Sequence, residues 1–429
     1  WISAGKSLKE VRHLDTKVKE NLNDYFHHTE MCWTGYLGQI DCDIDKLPKH
    51  ARKMLKRSIL VIRGQTNNNG AITAANDSTN LEFNQDKYGY VWPRDGALIA
   101  ETMAEAGYED LVRPFYDLME DLIEEEGYLL HKYNPDGTLG SSWHPWIDEN
   151  GEKQLPIQED ETALVIWSLK RFYEETSEKE ILKDKWDSLI KPAAEFLADY
   201  FDEETGLPKP SYDLWEERRY ISTFTVASVY AGLKAASEIA EIIGKENKRF
   251  EEKANMIKEK GLPKLKSDEL KRYGRGLKEG DLDKEVSAPL IFLWKFNLVD
   301  EEDEYFRNTF NAIRYDLSPD TEIGGIARYK GDQYHNVSND FEKIPGNPWI
   351  ICTLWVAQFL ISVSENKNDL KEAKELMHWT FQNSTETGLL PEQINPKNGE
   401  PLSVAPLTWS HSAFIDTAFM YAEKKEEIE

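Results

Sequence analysis

Two short stretches set carboxyl groups in company that suggests chemistry. "SYDLWEERRY" (211–220) places Glu216 and Glu217 among a tryptophan and two tyrosines, and "LPEQ" (390–393) places Glu392 between a proline and an amide. Taken alone, "WEE" reads more simply as a solvated helix face with one buried aromatic. Together the two stretches offer what cleavage of a glycosidic bond requires, a pair of carboxyl groups in different protonation states. One protonates the leaving oxygen; the other activates water or attacks carbon. No serine–histidine–acid arrangement and no metal-ligand spacing stands out. His411 in "WSHSAF" reads as structural.

Other stretches could hold a sugar. "YGYVWPRDG" (88–96) brings Tyr88, Tyr90, Trp92, Arg94 and Asp95 together, and an Arg–Asp pair suits charge-assisted hydrogen bonds to neighbouring hydroxyls. Asp95 equally suits the first turn of a helix, where a carboxylate complements the macrodipole. "SSWHPW" (141–146) supplies Trp143 and Trp146, whose rings could stack on sugar faces or simply anchor a loop. In "LPIQEDETA" (155–163), Gln158, Glu159 and Asp160 read as caps for the helix that follows. "GGIARYKGDQYH" (324–335) carries Arg328, Tyr329, Asp332 and Tyr334. It lacks the Lys-Ser/Thr of a phosphate loop, and its plainer reading is a surface turn with a weak Arg–Asp pair. In "PLTWSHSAF" (406–414), Trp409 precedes a plausible N-cap, Ser410.

These residues need a scaffold, and helical periodicity dominates the chain. Apolar residues recur three and four apart over 8–26, 49–62, 95–108, 111–127, 160–176, 180–201, 222–244, 288–296, 302–313, 347–365, 369–382 and 410–425, with a charged helix near 246–260. The class is therefore all-α. Segments 160–169, 223–236 and 347–361 are apolar nearly all round and must be buried on every side; 180–200 and 369–380 are amphipathic. That alternation predicts an inner ring of helices wrapped by an outer ring, a toroid of helical hairpins. Long loops at 64–94, 127–159, 203–221, 262–287, 315–346 and 383–409 hold all the candidate residues. If those loops share one end of the toroid, they build a pocket there. Residues 1–45 read as a helical lead-in, and 46–429 as the main domain.

Composition limits the partners. The net charge of −26 repels phosphate backbones and anionic membranes, so neither nucleic acid nor a membrane is expected as partner. No run approaches a membrane span. The three cysteines, Cys32, Cys42 and Cys352, form no disulfide framework or zinc spacing; Cys32 and Cys42 could pair, but free thiols are favoured. Location is undetermined, with the cytoplasm slightly favoured over export.

In their order and spacing, "YGYVWPRD", "LPIQEDETA", "YDLWEER", "GGIARYKGDQY", "NPW", "LPEQ" and "LTWS" resemble glycoside hydrolase family 15, the glucoamylase and glucodextranase family, over about 60–420. The resemblance implies an (α/α)6 barrel with the site at its loop-rich end. It implies Glu216 as general acid, with a raised pKa from its aromatic surroundings and the Glu217 charge, and Glu392 as general base. Arg94 and Asp95 would grip the terminal glucose at its far hydroxyls, and Tyr88 would lie near the developing oxocarbenium. Trp92 and Trp409 would form walls, Trp215 and Glu217 would contact hydroxyls, and Arg328 would bind glucose near the cleaved bond. Trp143 joins the substrate-binding set. The implied activity is exo-acting, inverting hydrolysis of α-1,4-glucans or malto-oligosaccharides, with no cofactor and no metal. Glucodextranase-like or trehalase-like specificity, or a non-catalytic glucan-binding role, stay open. "PRD" and the loop 141–158 look more like the bacterial and archaeal branch, which implies an N-terminal β-sandwich ahead of residue 1 as a further expected domain.

Overall fold

The computed structural model describes residues 2–77, 87–148 and 150–429. The chain divides into two compact units, Trp1–Asp41 and Cys42–Glu429. The first holds α1 (Leu8–Glu20) and α2 (Leu22–Leu37). Ser7 caps α1 by accepting the Glu10 N–H at 3.2 Å. The single helix expected over 8–26 breaks at Asn21, whose φ of −130° leaves the helical region.

The second unit is an (α/α)6 barrel. In chain order its helices are α3 (Lys49–Gln65), α4 (Pro93–Glu105), α5 (Glu109–Leu122), α6 (Glu159–Thr176), α7 (Lys179–Asp184) continued by α8 (Lys191–Asp199), α9 (Thr223–Ile243), α10 (Lys248–Met256), α11 (Phe292–Lys295), α12 (Glu304–Asp316), α13 (Ile350–Ser362), α14 (Leu370–Gln382) and α15 (Thr408–Glu427). The inner ring runs α4, α6, α9, α11 with the 3-10 turn before it, α13 and α15, each packed on the next, and α15 closes on α4. The segments apolar all round form this ring: every residue from Ile350 to Phe359 is buried, as are Thr223–Leu233. Outer helices α5 and α14 bury one stripe each. Between α7 and α8 the ladder widens to a π-turn, where the Ile190 N–H reaches the Lys185 carbonyl at 2.9 Å. Pro192, which has no N–H to donate, follows.

The connections explain where a site must lie. Each long loop leads from an outer helix into the N-terminus of an inner one, and the short turns 105–109, 176–179 and 362–370 close the opposite end. The inner helices therefore point their N-termini, and their positive dipole ends, at the loop-rich face. Two small antiparallel sheets brace those loops. One pairs 211–212, 219–222, 276–278 and 281–283 in that order. The other runs 401–402, 393–394, 348–349 and 326–327. Among the described residues no helix is long and apolar enough to cross a membrane. None of the three cysteines is in a disulfide.

Candidate active site

The turn bearing Glu216 is the tip of a hairpin. Ser211 pairs with Tyr220 and Tyr212 with Arg219, so residues 213–218 must reverse the chain. Buried Asp213 closes the reversal. Its Oδ1 accepts the N–H groups of Glu217 at 3.0 Å and Arg218 at 3.2 Å, while its carbonyl accepts that of Glu216 at 2.8 Å. Glu216 is thereby held at φ +63°, a left-handed conformation that costs a non-glycine residue about 1 kcal/mol.

From that position the Glu216 side chain is fully engaged. Trp92 Nε1–H donates to Oε1 at 2.6 Å, His131 Nε2 lies 2.7 Å from Oε2, and Arg94 approaches Oε1 at 4.0 Å. Burial pushes the carboxyl's pKa up, but the charge and hydrogen bond of His131, with Arg94 and Lys132, outweigh it and bring it down to about 2. This corrects the expected raised value. Glu217, expected to raise that value, is not among its main causes. Its carboxylate turns to Arg328 Nη2 at 2.9 Å and to the Tyr329 hydroxyl.

Glu392 enters from the second sheet, one residue ahead of the strand at 393–394. Its N–H donates to Val404 at 3.0 Å and its carbonyl accepts from Ile350 at 3.2 Å, which fixes the backbone on both sides. The side chain is buried, with Gln393 Nε2 at 3.3 Å from Oε2. Burial raises its pKa to about 7, only partly offset by Arg328 and by hydrogen bonds from Gln393 and Tyr88. The Tyr88 and Tyr334 hydroxyls lie 2.5 Å apart.

The remaining residues form two buried cationic centres. Arg94, in the first turn of α4, reaches the head of α6. Its Nη1 lies 2.5 Å from Gln158, 3.1 Å from Asp160 and 3.0 Å from Glu161, and its Nη2 lies 3.1 Å from Asp95. Burial lifts Asp95 to about 6 despite the adjacent guanidinium. Gln158 and Asp160 are thus not mere caps; Gln158 makes no capping bond, and both secure Arg94. Arg328 is likewise no surface turn. It is buried, grips Asp332 with two bonds at 2.7 and 2.6 Å, and stacks on Trp215 at 4.9 Å and Trp349 at 4.8 Å.

The two carboxyls and the two arginines open onto one cavity of about 410 Å³, within the span usual for small-molecule sites. Its lining includes Glu216, Glu392, Tyr88, Trp92, Arg94, Asp95, Trp143, Trp215, Glu217, Arg328 and Trp409, together with Lys87, Tyr334 and Trp349. Each long connection contributes except 262–287. Trp146, singled out beside Trp143, does not line it and is half exposed. Sequence reasoning missed Asp213, His131, Lys132 and His144. Lys132 is buried with its Nζ 3.7 Å from the Trp143 ring and 5.1 Å from that of Trp92. A lysine inside the "YLLHKY" run, amid apolar and aromatic residues, was the available signal. Ligand atoms of His131, His144 and Glu216 lie within 4.8 Å of one another, close enough for a metal ion. His131, however, uses both ring nitrogens in protein hydrogen bonds, to Glu216 and to Ser142 at 3.0 Å.

The family model for glycosyl hydrolases family 15 matches residues 49–369 and 362–419, from the barrel's first outer helix into its last inner one. The chain belongs to glycosyl hydrolase family 15. Among family 15 relatives, an uncharacterized glycosyl hydrolase of Methanocaldococcus jannaschii is 28% identical over 96% of this chain and 62% of its own length. Trehalase 2 of Sulfolobus acidocaldarius is 25% identical over 89% of this chain and 65% of its own. The fold is that of a bacterial glucoamylase solved with acarbose, which superposes with a TM-score of 0.75 at 21% identity over 99% of this chain and 62% of that one. This family 15 chain thus spans less than two thirds of the length of each of these proteins.

Proposed function

We propose that the chain is an exo-acting, inverting α-glucoside hydrolase that releases β-glucose from the non-reducing ends of α-1,4-linked malto-oligosaccharides. The observation that carries this reading is the convergence of Glu216 and Glu392, from separate sheets, on one cavity walled by tryptophans and carrying two buried arginines. Arg94 with Asp95, and Arg328 with Glu217, supply charge-assisted donors and acceptors for a terminal sugar's hydroxyls. Glu216 protonates the glycosidic oxygen. Glu392, ionised above about pH 7, takes the proton of the attacking water. The likeness to a protein named as a trehalase favours a second specificity, trehalose, for the same chemistry.

One observation favours a swap of the two roles: at rest Glu392 holds a proton more readily than Glu216 does. Leaving-group dependence separates the assignments. Glu216→Gln should lose about 10²–10⁴-fold on maltose, and much less on α-glucosyl fluoride, whose departing fluoride needs little protonation. Glu392→Gln should lose activity on both. The opposite pattern would assign the acid to Glu392. Glucose release from maltose, isomaltose, trehalose and starch, with the anomer read by NMR, tests the reading as a whole; initial α-glucose excludes inversion.

A further inference from the structure

We propose that His131 and Ser142 form a proton relay that loads Glu216 from bulk water, from the side away from the bound sugar. The inference rests on the reading of Glu216 as the acid. At rest that carboxyl is held as the anion by His131, Arg94 and Lys132, with Trp92 donating to its other oxygen. Its side chain is only 13% exposed and lines the cavity that a substrate fills. Once a sugar is seated, the acid needs a proton that the cavity cannot deliver.

His131 supplies the route. Its ring is buried, so it takes no proton from solvent itself, but its Nδ1 lies 3.0 Å from the hydroxyl of Ser142, an exposed residue. A hydroxyl is both donor and acceptor. When the ring is an imidazolium, Nδ1–H donates to Ser142; when it is neutral, the Ser142 O–H donates to Nδ1. Both states keep their hydrogen bond without any movement of the ring. The ring is also held from its face by His144 at 4.1 Å, itself stacked on Tyr212 at 3.8 Å. Burial lowers the His144 pKa to about 3, so this neighbour stays neutral and adds no second cation. Other charged or titratable groups near Glu216 include Arg94, Lys132, Asp95 and Tyr88, with Asp213 and Glu217 in its own turn.

The proton count closes. A bound sugar excludes water and raises the carboxylate's proton affinity. The Nε2–H proton passes to Glu216 and onward to the glycosidic oxygen, which keeps the electron pair of the breaking C1–O bond. Water adds to C1 and gives its proton to Glu392. His131, left neutral, regains a proton from solvent through Ser142, and Glu392 returns one to solvent. His131 acts through Glu216 and is a positioning and relay residue; it does not touch the substrate.

The test uses the whole chain, with kcat/KM against pH and against leaving group. With the Nε2–H donor gone, the proton for the leaving oxygen rests on the Glu216 carboxyl alone, so His131→Gln should move the high-pH limb to lower pH. It should also lose tenfold or more on maltose relative to its loss on α-glucosyl fluoride. Ser142→Ala, at an exposed position where misfolding is not expected, should shift the limb in the same direction by less. A uniform fall in both variants across pH and leaving groups, or an unmoved limb in both, overturns the relay. Glu216→Gln run alongside separates the two readings. If it turns over maltose normally, the assignment of the acid fails. If it is inactive while both relay variants keep the normal limb, only the relay fails.

Discussion

Glu392 combines function and instability in one side chain. Its pKa in the folded chain is about 7, raised by burial from an ordinary 4.5. As the proposed base it must be ionised, so kcat/KM on maltose should fall as pH drops below about 7. The same shift has a stability consequence. From the ordinary value of 4.5 up to about 7 the folded state holds a Glu392 proton that the unfolded state releases, so this group's contribution to stability falls as pH rises through that window and levels above the folded pKa. The lowered histidines His144 and His411 act in the opposite direction, adding stability as pH rises through their ordinary value of 6.5. Glu392→Gln should therefore be inactive yet melt higher than the parent at pH 8, with up to roughly 3 kcal/mol of gain, and the difference between the two should shrink as pH falls toward 5. A lower Tm for that variant at pH 8 would mean that the carboxylate is well solvated in the folded chain.

At the scale of the element, the acid turn depends on Asp213 and the barrel wall on Gly232. Asp213→Ala removes the side-chain acceptor for two turn N–H groups and loosens the turn that holds Glu216 in its left-handed conformation. We expect a loss of about 1–3 kcal/mol in stability and a fall in kcat larger than the change in KM. Asp213→Asn keeps an acceptor oxygen and should retain more of both. Gly232, in α9, faces Ala163 of α6 so closely that an added Cβ would sit 2.8 Å from the Ala163 carbonyl and 3.0 Å from its Cα. These are backbone atoms of a neighbouring inner helix and cannot step aside. Gly232→Val should cost about 1–3 kcal/mol, visible as a lower melting temperature, with smaller effects on activity because the contact lies along the wall below the loops.

Over the whole molecule, charge is uncoupled from a neutral substrate of the kind proposed. A net charge of −26 gives long-range repulsion that salt screens, whereas a neutral sugar feels no steering field. Raising ionic strength from about 0.01 to 0.5 M, which shortens the screening length several-fold, should raise Tm and leave kcat/KM on maltose within about twofold. A steep salt dependence of kcat/KM would point to a charged substrate. Much of this was legible in the chain itself. Hydrophobic periodicity marked the helices, and the segments apolar all round marked the inner ring, because burial on every side leaves no other choice of composition. The paired acids, the Arg–Asp pair and the tryptophans were visible by type in the long loops. The structure alone decided their state. Whether a carboxyl keeps or loses its proton depends on which cations and hydrogen bonds meet it across distant loops. His131 and Lys132 reach Glu216 from more than eighty residues away, and nothing local in "WEE" announces them. Residue types come from the chain, but fields and desolvation act through space, so the order in which Glu216 and Glu392 titrate became readable only once the barrel was closed.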